Sequence, residues 1–253
     1  LAAKATNTAV ALKAPIASPV FTGNVGIGVT PETWGTNGDF TGLQVGTGLS
    51  LYGRGAGDED RVGMMGNAYH DATNDRYEYI GTGHATHYAH SDGQHVFQVA
   101  PSGTADAAIS FTTAMAIDNA GRVTKPLQPS FIARGYASRP SSVVLFSSVP
   151  HNVGSHYNNS NGRFTAPIAG NYLMTWFANA KSATHYMNWA LHINGNEYGG
   201  AYSDTNTANY DTTGGAMVVS LAAGDYVNVF STLSYTAPST TTNYSFFSGY
   251  LLG

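Results

Sequence analysis

The 253 residues contain no cysteine, which excludes both disulfide staples and thiolate metal sites. Charge is scarce as well. Asp, Glu, Lys and Arg make up 10% of the chain, against roughly 25% in ordinary soluble domains. The formal net charge is −4 and no Lys/Arg cluster occurs, so nucleic-acid binding by phosphate neutralisation is not expected. No apolar run approaches the roughly 20 residues of a membrane helix, and no membrane insertion is expected. No hydrophobic signal core follows Leu1. The expectation is a fragment of a longer chain, made in the cytoplasm without a signal peptide.

Glycine (30 residues) and tyrosine (16 residues) take up the space, together with many Thr, Ser and Asn. Charge normally keeps protein surfaces apart. A surface this neutral is either buried against further copies of the chain or carried by hydroxyls and amides. The stretch Phe21-Thr-Gly-Asn-Val-Gly-Ile-Gly28 returns as Phe40-Thr-Gly-Leu-Gln-Val-Gly-Thr-Gly48, with one residue inserted. Short β-type words separated by glycine suit several chains wound around one axis.

Three regions follow. Residues 1–19 hold the helix candidate, with Leu1, Ala5, Thr8 and Leu12 spaced as a coiled-coil seam. Two turns of seam cannot stand alone in water, so this is a frayed end or the end of a multi-stranded helical stalk. Pro15 and Pro19 stop it. Residues 20–128 read as short strands between turns, among them VGIGV, RYEYIG, HVFQV and AMAIDNAGRVT. Asp118-Asn119-Ala120-Gly121 is predicted to be a hairpin turn with glycine at positive φ. These words look too short for a single-chain core, and an intertwined, glycine-rich β shaft is expected. Residues 129–253 carry longer alternating strands such as NYLMTWFANA, MNWALHIN and DYVNVFSTLS. That pattern points to a sandwich or jelly roll.

Two resemblances attach to these regions. KAPIASPVFTG and AMAIDNAGRVTKP resemble segments of bacteriophage tail-fibre proteins, where a helical stalk passes into a β-structured shaft. Val144-Leu-Phe146, Gly162-Arg-Phe164-Thr-Ala-Pro167-Ile-Ala-Gly170-Asn-Tyr172, Leu221-Ala-Ala-Gly224-Asp225-Tyr-Val227 and Phe246-Phe247-Ser-Gly249-Tyr250 resemble the globular heads of complement's first component and their tumour-necrosis-factor relatives. The second resemblance spans residues 131 to 252 and implies a ten-strand jelly roll that assembles as a homotrimer, two further copies being its partners. Together they imply an all-β fibre tip on the virion, joined to upstream fibre or tail proteins. Its role would be to bind a bacterial surface glycan or outer-membrane receptor. The alternatives are a tailspike-like glycan depolymerase and a purely structural fibre segment.

The residues themselves argue against catalysis. Glycoside cleavage needs two carboxyl groups facing one cleft, and the C-terminal half offers only Glu197, Asp204, Asp211 and Asp225. Asp225 falls in a predicted turn, and Asp58-Glu59-Asp60 reads as a solvated turn. No Gly-x-Ser-x-Gly elbow or phosphate loop occurs. In GHATHYAHSDGQH, His84 and His90 share one strand face while His87 points to the other, so no compact ligand pair is expected within one chain. His84 and His90 are candidates only for a metal on a trimer axis, and no cofactor is expected. Exposed aromatics beside neutral hydrogen-bonders suit saccharides. The receptor-binding candidates are therefore Tyr198, Tyr210, Asp211, Tyr235, Thr240 and Asn243. They are expected in loops at the end of the head opposite the Ala222–Asp225 turn.

Overall fold

The computed structural model describes residues 21, 23–35, 40–55, 57, 60–136, 142–180, 186–204, 211–232 and 244–253, without the side chains of Tyr136, Ala180, Tyr186, Asp204 and Asp211. The proposed stalk helix at 1–19 lies outside these residues. All regular structure described is β, and the chain forms two compact units, Leu1–Pro126 and Leu127–Gly253.

The first unit contains β1 (Val25–Ile27), β2 (Phe40–Val45), β3 (Leu49–Arg54), β4 (Val62–Gly66), β5 (Ala68–Asp71), β6 (Arg76–Tyr79), β7 (Gly83–Ser91), β8 (Gln94–Gly103), β9 (Thr112–Ile117) and β10 (Val123–Thr124). Eight of these make one sheet in the order β1-β2-β3-β4-β7-β8-β9-β10, with β5 and β6 as a separate hairpin. The repeated word of the sequence has a structural counterpart. Its two copies are neighbouring strands, β1 running parallel to β2 with Val25 opposite Leu43 and Ile27 opposite Val45.

One face of this sheet is a core of Trp34, Phe40, Tyr52, Met65 and Ala85, completed by Ala68, Tyr69 and Tyr79 of the hairpin. Glycine makes room for the rings. A Cβ on Gly42 would sit 2.6 Å from the Trp34 indole, and one on Gly63 would sit 2.5 Å from the Tyr52 ring. The other face carries a row of directly opposed side chains across seven strands: Val25, Leu43, Leu51, Met64, Tyr88, Phe97 and Met115. The strands expected to be too short for a single-chain core nevertheless build one. Apart from β1–β2, the sheet's strands pair antiparallel within one chain, and β8 reaches ten residues, long enough to bury a core of its own.

The second unit contains β11 (Ser130–Tyr136), β12 (Ser142–Val143), β13 (Phe146–Val153), β14 (Tyr157–Asn158), β15 (Arg163–Thr165), β16 (Gly170–Ala180), β17 (Tyr186–Ile193), β18 (Asn196–Asp204), β19 (Asp211–Leu221), β20 (Tyr226–Ser231) and β21 (Phe246–Leu251). It is a jelly-roll sandwich. One sheet runs β13-β11-β21-β16-β19, and the other runs β14-β15-β20-β17-β18 with β12 beside β20. The described residues thus give eleven strands rather than ten, two of which, β12 and β14, are only two residues long. Alternation along β16 turns Tyr172, Met174, Trp176 and Ala178 inward. They meet Trp189, Leu191, Val227, Val229 and Phe247 in the core. Phe131 stacks between Tyr157 and Phe164, with centroids 4.8 and 5.0 Å away. The Trp176 Nε1–H donates to the Trp189 carbonyl at 3.1 Å, joining the two sheets.

Candidate functional site

The same alternation that fills the sandwich leaves Leu173, Thr175 and Phe177 on the outer face of the five-stranded sheet. Across the strands, Leu173 lies between Val218 and Tyr250, and Phe177 lies between Gly214 and Phe246. Val218 is 55% exposed and Tyr250 44%. Phe177 and Phe246 stack at 6.1 Å and 19°, and Thr175 Oγ1 lies 2.5 Å from Ser248 Oγ.

Where β18 comes alongside β19, an open groove of about 520 Å³ is lined by Thr175, Phe177, Tyr202, Thr212, Thr213 and Phe246, with Gly214 and Gly215 in its floor. A Cβ on Gly215 would meet the Trp176 ring at 2.7 Å, so glycine keeps the strand close to the indole. None of the lining residues is Asp, Glu, His, Lys or Arg. Rings and hydroxyls of this kind offer stacking and neutral hydrogen bonding.

The turns define two ends. At the proximal end, where the chain arrives at Pro129, Leu251 N–H donates to the Pro129 carbonyl and Asn171 N–H to the Gly253 carbonyl. The Ala222–Asp225 turn lies at this end too, because Ala166 N–H donates to the Asp225 carbonyl. The Asn194-Gly195 turn is tied to it in turn. Asn194 Nδ2 donates to Asp225 Oδ1 at 2.8 Å, and Tyr226 N–H donates to Asn194 Oδ1 at 3.0 Å.

This corrects the placement of Tyr198. It is 58% exposed, but it stands three residues beyond Gly195 and therefore near the proximal end. Strand parity explains the change: β17 returns toward Pro129 before the turn. Asp211 is the first residue of β19, opposite Ala180. Tyr210, Tyr235, Thr240 and Asn243 lie outside the described residues. The aromatic residues missed by sequence reasoning, Phe177 and Phe246, follow from alternation once inward-facing Trp176 and Phe247 set the phase.

The titratable groups are structural. Asp225 is held below the usual carboxylate range by its bond from Asn194 and then by the Ala222 N–H. In the first unit, burial lowers the pKa of His87, against the opposing effect of Gln98. Neutral His87 donates from Nδ1 to Gln98 Oε1 and accepts from the Tyr52 hydroxyl at Nε2, both at 2.9 Å. His84 and His90 are both exposed and stand six residues apart on β7, about 20 Å at strand rise. They are not brought together. Among the described residues no three His, Cys, Asp or Glu side chains converge as a metal cage, and none forms a helix able to cross a membrane.

Residues 131–252 match the C1q domain family. The C-terminal half is a C1q/TNF-like globular domain. The chain is 33% identical over 107 residues to "Complement C1q tumor necrosis factor-related protein 3" of Mus musculus, covering 42% of this chain and 44% of that protein. The Homo sapiens protein of the same name is 33% identical over 103 residues, 40% of this chain and 42% of that one. The chain thus spans less than half the length of the curated relatives it matches. Among solved structures, the globular domain of zebrafish complement 1qA protein covers 50% of this chain and 98% of its own at 16% identity and TM-score 0.42. Murine APRIL at pH 5.0 covers 49% of this chain and 99% of its own at 14% identity and TM-score 0.42. The C1q/TNF domains that residues 131–252 resemble are non-enzymatic modules.

The mammalian relatives overturn the reading as a phage tail fibre. With it fall the virion location, adhesion to a bacterial glycan or outer-membrane receptor, the upstream fibre and tail partners, and the depolymerase and fibre-segment alternatives. The physical reason is visible in AMAIDNAGRVTKP, which forms the β9–β10 hairpin. Asp118 Oδ1 accepts from Ala120 and Arg122 N–H at 2.9 Å, Oδ2 takes Arg122 Nε at 2.7 Å, and Gly121 has φ 79°. Any tight hairpin selects such residues, so the motif reports turn chemistry and not ancestry. KAPIASPVFTG falls outside the described residues except for Phe21 and Gly23.

Proposed function

We propose that the protein is a homotrimeric recognition module, in which three C1q/TNF-like heads associate through the outer face of the β13-β11-β21-β16-β19 sheet and together bind a macromolecular partner. The observation that carries this reading is the exposed row Val218–Leu173–Tyr250 on a domain whose own core is already closed. Patches of that kind mark association surfaces. The match of residues 131–252 to a family whose domains form trimers supplies the occupant, further copies of the same chain. Low overall charge agrees, since copies meet without electrostatic repulsion. The test is light scattering on the full chain. The expected mass is three times the 26.5 kDa of one chain, and Leu173→Glu with Val218→Glu reduces it to that of a monomer with strand content retained. A wild-type monomer at micromolar concentration overturns the proposal.

A further inference from the structure

The β7–β8 hairpin turns at Asp92-Gly93, with φ of 53° and 73°, and Ser91 pairs with Gln94. His90 is therefore directly opposite His95. Both are exposed. Their ring centroids are 4.5 Å apart with the planes at 65°. Tyr88, two residues before His90 on the same face, places its hydroxyl between them. The oxygen is 2.8 Å from His90 Nε2 and 2.8 Å from His95 Nδ1. Two imidazole nitrogens and one phenol oxygen thus converge within a single chain.

We propose that His90, His95 and Tyr88 form a binding site for a divalent transition-metal ion, with one site per chain. The spacing fits. With metal–nitrogen bonds of about 2.0–2.1 Å, neighbouring ligand atoms stand about 2.9–3.3 Å apart, and two ligating imidazoles at 90–110° have centroids about 4.5–5.1 Å apart. The hairpin already holds the ring centroids at 4.5 Å and each nitrogen 2.8 Å from the phenol oxygen, so only a small outward shift of the oxygen admits an ion and little reorganisation opposes binding. Imidazole with an oxygen donor suits Zn²⁺, Ni²⁺ and Cu²⁺, not Ca²⁺ or Mg²⁺. Both imidazoles ligate as neutral rings with the hydrogen on the outer nitrogen. The ion takes the place of the hydroxyl hydrogen, which passes to water as a proton.

The surroundings keep the site to these three donors. Val62 stands opposite His90 and Ile117 opposite His95. Phe97 stacks on Tyr88 at 4.6 Å and fixes its ring. The nearby carboxylate, Asp92, is engaged by Arg61 at 3.2 Å and by Ser91 at 2.8 Å.

The test is titration calorimetry of the full chain with ZnCl₂ and NiCl₂, with MgCl₂ as the contrast. Zn²⁺ and Ni²⁺ are expected to bind saturably at one ion per chain, and Mg²⁺ gives no heat. His90→Gln and His95→Gln each weaken binding roughly tenfold or more, the scale of a disturbed ligand set, while His84→Gln leaves it unchanged. With CuCl₂, a phenolate-to-copper absorption band is expected in the wild type and lost in Tyr88→Phe. The three histidines are exposed and Tyr88 is half-buried, and an unchanged melting temperature without metal verifies folding of each variant. Failure of Zn²⁺ and Ni²⁺ to bind at one per chain overturns the proposal. So does binding that survives both histidine substitutions, and a copper band that persists in Tyr88→Phe overturns the phenol ligand.

Discussion

Asn194 and Asp225 stand 31 residues apart in different turns, and a 2.8 Å hydrogen bond joins their side chains. Asn194 adopts φ 51° ahead of Gly195 at φ 85°, the pattern of an Asn-Gly hairpin turn. Its side chain both donates to Asp225 and accepts from Tyr226 N–H. Asp225 in turn accepts from Ala222 N–H at 2.8 Å. One pair of side chains therefore closes the β17–β18 and β19–β20 turns against each other. Asn194→Ala is expected to lower stability by about 1–2 kcal/mol through two lost hydrogen bonds and the left-handed backbone, read as a shift in the urea midpoint. Asn194→Gly, which keeps the backbone relaxed, should lose less.

Acid should loosen the same corner. The Asp225 carboxyl is held below its ordinary value by Asn194 and the Ala222 N–H. Its contribution is present above the unfolded-state pKa and disappears as pH falls through the lower folded-state value. Melting curves of wild type and Asp225→Asn are expected to converge as pH drops below about 4, near the usual aspartate value. Curves that stay parallel contradict this.

A second acid response belongs to the first unit, in a milder range. His87 is buried and its pKa lowered by desolvation, so the unfolded chain binds the proton more readily than the folded one. Stability is then full above the unfolded pKa of about 6.5 and falls as the pH drops from there toward the folded value. His70 is lowered by the same cause and adds to the loss. Tyr52→Phe leaves His87 Nε2 without its hydroxyl partner and should cost about 1–3 kcal/mol at neutral pH. Denaturant unfolding followed between pH 7.5 and 5 checks both statements.

Glycines in the first sheet divide into two kinds. On Gly63 a Cβ would lie 2.5 Å from Tyr52 Cε1 and 2.8 Å from His87 Nε2, while on Gly53 it would meet nothing within 4 Å. Both rings are fixed by hydrogen bonds, so Gly63→Ala cannot be absorbed by a flexible chain end. It is expected to destabilise by about 1–3 kcal/mol, whereas Gly53→Ala is neutral or stabilising. Equal unfolding midpoints for the two variants would show that the rings move aside.

Much of the head was legible because alternation and turn residues agree in it. The run NYLMTWFANA alternates over its whole length, and Asn194-Gly195 and Ala222–Asp225 are turns by composition alone. The first unit was harder to read. Glycine at 42, 63 and 103 suggested weak strands that needed other chains. In the structure each glycine lies beneath an aromatic ring of the same chain: Trp34, Tyr52 or Tyr79. That information is tertiary and no local pattern contains it. The His90–His95 pair was within reach, since Asp92-Gly93 is a two-residue hairpin turn and pairing outward from it sets the two residues opposite. Counting along one strand instead paired His90 with His84.

The absence of cysteine makes the proposed trimer face directly measurable. A single Val218→Cys variant places one thiol beside Leu173 on the outer sheet, and Thr73→Cys places one in the exposed turn between β5 and β6. Val218 is 55% exposed in the single chain, so in a monomer both thiols should react with maleimide at similar rates. In the trimer Val218 is covered by another copy, and its labelling is expected to slow by about tenfold or more. That ratio corresponds to an opening cost of about 1.4 kcal/mol or more. Adding Leu173→Glu to Val218→Cys should restore fast labelling together with a monomeric mass, because a carboxylate at the centre of the face must stay hydrated. If Val218→Cys and Thr73→Cys label at the same rate while light scattering reports a trimer, the copies meet through another surface. If the mass is that of one chain, the trimer itself is refuted.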